Sequence, residues 1–123
     1  MSSAAQAYAR TAQRTASPRE IEAQALLKAA NKLQNAMTNW DNMVEAEISD
    51  AILFNRKLWA ILLSAVTSDE NPQTVEVRQK IANIGTFVMT QTMELQLNPQ
   101  PEKLKSLIDI NCNLAAGLAG RAA

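Results

Sequence analysis

Histidine is absent from this chain, and cysteine occurs once, at Cys112. The first absence removes the commonest general base at neutral pH and the commonest transition-metal ligand. The second excludes an intramolecular disulfide framework and any multi-cysteine zinc or iron–sulfur site, and fits a reducing compartment. Glycine is also scarce, at three positions, and no Asn-Gly or Asp-Gly pair separates alternating apolar segments, so β-hairpins have no support. There is no charge of one sign to spare: 12 basic and 12 acidic side chains cancel, which leaves no overall field for phosphate backbones or anionic lipid. Long apolar runs are missing too. Met1 to Ala16 is interrupted by Gln6, Arg10, Gln13 and Arg14, unlike a secretory signal, and Leu58 to Val66 is about half of the roughly 20 residues that cross a bilayer. These gaps point to a cytoplasmic protein with no cofactor, no metal and no membrane segment. They argue against nucleic-acid binding and for action by binding another protein, not by catalysis.

What is present reads as helix. With 123 residues, 47% hydrophobic and 20% charged, the chain has the material for one packed domain and no room for a second core. Alanine, leucine, glutamine, glutamate and lysine fill long stretches, and these are strong helix formers. Residues 1–16 are an alanine-rich helix or a mobile arm, with Tyr8 as the one bulky anchor. Ser17-Pro18-Arg19-Glu20 is a start signal, with Ser17 placed to cap, Pro18 at the first helical position and Glu20 completing a capping box. From it Leu26, Ala30, Leu33, Met37, Trp40 and Val44 recur at spacings of three and four, a stripe that faces a core.

Asp41-Asn42 predicts either a break or a bend, after which Val44, Ile48, Ala51, Ile52, Leu58, Trp59, Leu62 and Val66 carry the periodicity onward. Asn71-Pro72 repeats the cap-then-proline pattern, and the next stripe is Val77, Ile81, Ile84, Val88 and Leu95, with Phe87 beside it. Asn98-Pro99-Gln100-Pro101 ends that helix, because neither proline can continue the ladder. A last helix from about Pro101 turns Leu104, Leu107, Ile108, Leu114, Ala115 and Leu118 inward and closes at Gly117 or Gly120. The expectation is an all-α, compact bundle of four to five mostly antiparallel helices forming a single domain, with residues 17–120 as the bundle.

The chain carries little that could do chemistry. The di-iron and di-manganese bundles need Glu-x-x-His, which cannot exist here, and Glu20, Glu22, Glu45, Glu47, Glu76 and Glu94 read as solvated faces or caps. No phosphate-cradling glycine loop and no Gly-x-Ser-x-Gly elbow occurs. Cys112 has no histidine to activate it and reads as a quiet, partly buried thiol. Its neighbours Asn111 and Asn113 are middling helix formers near a helix end, which hydrogen bonding to another helix or to a partner explains.

Asn55-Arg56-Lys57-Leu58-Trp59 is the most informative segment. Asn55 interrupts an apolar face four residues before the bulkiest side chain, and a polar group there needs a partner. In one reading Asn55 binds backbone at a helix crossing, Arg56 pairs with an acid such as Asp50, and Trp59 fills the core. In the other, Arg56 and Trp59 belong to a binding groove, since both residue types are enriched at hot spots. Met37, Met43, Met89 and Met93 are adaptable apolar surface or core filling.

Four segments together resemble the FlaF family of flagellar biosynthesis regulators. They are Ser17-Pro18-Arg19-Glu20-Ile21-Glu22-Ala23; Asn55-Arg56-Lys57-Leu58-Trp59; Ile81-Ala82-Asn83-Ile84 leading into Phe87-Val88; and Leu107-Ile108-Asp109-Ile110-Asn111 running to Leu114-Ala115-Ala116-Gly117-Leu118. The second and fourth are specific, whereas the first alone is a generic cap. Two positions depart from the family pattern: Cys112 follows Asn111 where an arginine is usual, and Ala60 follows Trp59 where a threonine is more familiar. Any contact made by that arginine is missing here.

The resemblance implies a cytoplasmic factor for flagellin synthesis and export, a chaperone that binds flagellin, working alongside a companion regulator, FlbT. Candidate partner-binding residues are Asn55, Arg56, Trp59, Asn111 and Tyr8. Alternatives are a regulator acting through flagellin mRNA, which the neutral charge and the lack of an interleaved basic and aromatic patch oppose, and a scaffold that acts through the companion regulator.

Overall fold

Ser17 opens the first helix as its sequence predicts: its backbone is extended, and its Oγ accepts a hydrogen bond from the Glu20 amide at 3.2 Å. The structure is a computed structural model that describes residues 17–120. Tyr8 and the helix or arm expected over residues 1–16 lie outside the described residues. Four α-helices follow: α1 (Pro18–Thr38), α2 (Glu45–Val66), α3 (Val75–Leu97) and α4 (Leu104–Leu118). Short 3₁₀ turns at Trp40–Asn42 and Pro101–Lys103 precede α2 and α4. All regular elements among the described residues are helical, so the chain is an all-α bundle.

The interruption expected near residue 41 is a true break. Asn39 folds back, its amide and its side-chain Nδ2 both donating to the Asn35 carbonyl at 3.0 Å, and the chain turns through Trp40–Asn42 before Val44 extends into α2. Val44 therefore sits at a helix entrance and is 59% exposed, not part of the inward stripe. Trp40 and Met37 are half-buried against the core edge.

Asn71-Pro72 does not open α3. Asn71 instead pins the loop, donating from Nδ2 to the Ala65 carbonyl at 2.9 Å and accepting the Gln73 amide at 2.9 Å. Thr74 is the cap, its Oγ accepting from the Val77 amide at 3.2 Å. Arg78 reaches back to the end of α2, its Nε donating to the Val66 carbonyl at 2.7 Å. Gly120, at φ 72°, terminates α4 in the left-handed region that glycine adopts without a Cβ penalty.

The cross-helix contacts set the topology. Arg56 meets Gln96, Leu63 meets Gly85, and Arg78 meets Val66, so α2 and α3 are antiparallel. Lys28 and Lys32 lie over the Phe54 ring at 5.6 and 5.1 Å, joining α1 to α2. The most extensive packing is α1 on α4, followed by α2 on α3 and α1 on α2. Leu26, Leu33, Trp59, Val88, Leu95, Leu104 and Leu107 fill the centre and have no exposed surface.

The α3 stripe differs from the sequence expectation. Its inward line is Ile81, Gly85, Val88, Thr92 and Leu95, a four-three alternation in which two members are not large and apolar. Gly85 is there because α2 comes close: a Cβ at that position would stand 2.8 Å from Leu63 Cγ. Thr92 is tolerated because its Oγ1 donates to the Val88 carbonyl at 2.7 Å within the same helix. Val77, Ile84 and Phe87 are left 36 to 45% exposed on the flank.

Candidate functional site

The sequence-specific segments meet in the middle of the bundle. Asn55 and Trp59 sit one turn apart on α2, so their side chains share a face, and both point at Asn111 on α4. Trp59 Nε1 donates to Asn111 Oδ1 at 2.9 Å, and Asn111 Nδ2 donates to Asn55 Oδ1 at 2.6 Å. Asn111 Nδ2 also approaches the Leu26 carbonyl of α1 at 3.5 Å. All three side chains are fully buried.

The direction of this relay is fixed by chemistry. An indole N–H can only donate, so Asn111 must present its oxygen to Trp59 and its amide group to Asn55. Asn55 must then accept, and its own Nδ2 is left buried with no partner. One polar network thus ties α1, α2 and α4 into a single register and carries one unsatisfied donor as its cost.

In this arrangement Asn55, Trp59 and Asn111 offer no surface to a partner. Trp59 fills the core, while Asn55 binds the Asn111 side chain instead of backbone. Arg56 is exposed, and its Nη1 donates to Gln96 Oε1 at 3.0 Å on α3, not to Asp50. It is the one described candidate that stands at the surface. Cys112 is exposed as well, not partly buried, because it lies beside Asn111 on the outward side of α4.

Sequence reasoning missed a second feature. Two adjoining depressions flank Met43, where the turn after α1 meets the start of α2. One, of about 470 Å³, has Trp40, Met43 and Pro99 as walls and Ile48, Ile52 and Leu95 as floor. The other, of about 480 Å³, runs past Lys32, Asn35, Glu47 and Asp50. The available signal was the run from Asn39 to Phe54, which carries Asp41, Glu45, Glu47 and Asp50 and no lysine or arginine. At the opposite end, Pro18, Leu62, Val66, Ile81, Leu114 and Leu118 line a smaller cavity of about 80 Å³, with Glu22 also in its wall. Burial there pushes the Glu22 carboxyl above its ordinary pKa, with the nearby Arg19 charge partly opposing the shift.

Among the described residues, no group of three or more acidic or cysteine side chains is gathered to hold a metal. No described helix is long and apolar enough to cross a membrane. The fold and its buried relay define a small helical-bundle protein whose distinguishing residues lock one helix against another.

The FlaF family model, described as flagellar protein FlaF, matches residues 4–118, nearly the whole chain. The protein belongs to the FlaF family and has a flagellar role. No curated protein and no solved structure matches it.

Proposed function

We propose that this protein binds flagellin in the cytoplasm as an export chaperone and thereby promotes flagellin synthesis and secretion. The family match over residues 4–118 carries the reading. Its physical support is the apolar area left exposed on two helices, Ile61 on α2 and Phe87, Met93 and Leu97 on α3. An amphipathic helix laid against such a surface is a common mode of peptide recognition, and the ordering cost of a coupled folding step keeps the complex releasable. The role is one of binding, with no catalysis, metal or cofactor.

Calorimetric titration with full-length flagellin, and with forms lacking either terminal region, tests this. Binding to the full-length protein that is lost with one terminal region is the expected result, and no heat with any form overturns the proposal. Arg56→Ala is expected to weaken the complex while leaving stability nearly unchanged; normal binding removes Arg56 from the site. A pull-down from cells separates flagellin from the companion regulator FlbT as the direct partner. A steep salt dependence of binding to the flagellin message leader would instead favour action on the mRNA.

A further inference from the structure

The depressions on either side of Met43 differ in kind. The one toward α3 is floored by fully or nearly fully buried Ile48, Ile52 and Leu95 and walled by half-buried Trp40 and Met43. Tryptophan and methionine there supply a large rigid contact and an adaptable one. The one toward α1 is edged by Glu47 and Asp50 on α2 and by Lys32 on α1. Apolar Val44 and Leu97, exposed by 59 and 85%, lie in the adjoining chain segments.

The charge around the pair is mainly acidic: Lys32 is the one cation in either lining, and it lies over the Phe54 ring at 5.1 Å. Asp41, Glu45, Glu47 and Asp50 are all exposed, and none is ion-paired among the described residues, where the one salt bridge joins Lys105 to Asp109. Glu45 and Glu47 occupy the first turn of α2, where a carboxylate favours the helix dipole and stands in for the missing side-chain cap at Val44. That account does not extend to Asp41, which precedes the helix, or to Asp50, which lies beyond its first turn. An apolar cleft beside a row of unpaired acids complements a ligand that is apolar on one side and positive on the other.

We propose that this cleft is the docking site for a basic amphipathic helix of a partner protein. One apolar side chain enters between Trp40, Met43 and Pro99, and lysine or arginine residues a turn away meet Glu47 and Asp50 across Met43. That the helix belongs to flagellin rests on the function proposed above; the chemistry of the site does not.

The test uses the full chain and two synthetic 18-residue amphipathic helices, one of leucine and lysine, the other with glutamate at every lysine position. The expected result is at least tenfold tighter binding of the lysine peptide, weakened by salt, with a change in tryptophan fluorescence that Trp40→Phe removes. Because Asp41 and Asp50 are exposed and lie outside the first turn of α2, the double reversal Asp41→Lys, Asp50→Lys should fold and should lose at least tenfold in affinity. Asp109→Lys on α4 should lose nothing.

Equal binding of both peptides, or of the lysine peptide to wild type and to the double reversal, overturns the proposal. So does a concentration-dependent dimer broken by the same substitutions, which would make the cleft a self-interface. Tighter peptide binding on deletion of residues 2–16 would give the cleft to the chain's own segment and overturn it as well. Flagellin binding by wild type and double reversal alike overturns the cleft but leaves the proposed function standing. Binding of the lysine peptide at the cleft with no binding of flagellin does the reverse.

Discussion

Asn111 Nδ2 donates to Asn55 Oδ1 at 2.6 Å, joining residues 56 positions apart in the chain. Because Asn111 also receives the Trp59 indole N–H, it is the only member of the relay bonded on both sides. Loss of Asn111 orphans two buried groups, whereas loss of Asn55 leaves Asn111 Nδ2 its 3.5 Å approach to the Leu26 carbonyl and removes a donor that was already unsatisfied.

Asn111→Ala should therefore destabilise the protein by roughly 2–5 kcal/mol, and Asn55→Ala by clearly less. Urea denaturation followed by the far-ultraviolet helix signal checks the order. Equal losses would mean that the orphaned Asn55 donor finds a partner in solution. The double variant should fall short of the sum of the two, with a coupling of about 0.5–3 kcal/mol. Replacing all three residues, as Asn55→Leu, Asn111→Leu and Trp59→Phe, should cost less than Asn111→Ala alone, since no polar group remains unpaired.

Gly85 lets α3 approach α2 at Leu63. Gly85→Leu should destabilise by about 1–3 kcal/mol through overpacking, despite the better helix propensity of leucine. Pairing it with Leu63→Ala should recover part of the loss, as thermal melts of the single and double variants will show. No recovery would place the strain elsewhere.

Glu22 gives a pH signature. Its folded pKa lies above the unfolded value, so the folded state binds the extra proton between those two values. Stability then falls as pH rises through that window and is regained as pH drops toward the ordinary carboxylate range. Glu22→Gln should be more stable than wild type at neutral pH, with the difference shrinking below the unfolded pKa. Denaturant midpoints from pH 4 to pH 8, on the order of one measurement per unit, test the slope. A constant difference would exclude titration as the cause.

Helix entrances differ in how they are capped. Ser17→Ala and Thr74→Ala each remove a side-chain cap and should each cost about 1 kcal/mol. Asn71→Ala should also destabilise, although its side chain opens no helix, because it holds the loop to the Ala65 carbonyl in the last turn of α2. Hydrogen exchange should then speed up at the end of α2 while leaving α1 unchanged.

The helices were legible wherever the signal was local. Ser17-Pro18 fixed one start, the two prolines after Asn98 fixed one end, and the Leu26, Ala30, Leu33 spacing identified an inward face, because capping and 3.6-residue periodicity involve only near neighbours. The need of Asn55 for a partner was also readable, since an asparagine on an apolar face must be satisfied. The choice of partner was not: Asn111 is remote in sequence, and only the packing of α4 against α1 brings it to Trp59. The same holds for Gly85 and Thr92, whose inward positions carry no hydrophobic signal and follow from how close α2 stands and from an intrahelical bond. The cleft beside Met43 lies at the same limit. Sequence determined its acids and its methionine, but the break after Asn39 and the arrival of Leu95 from α3 decided that they surround an apolar floor.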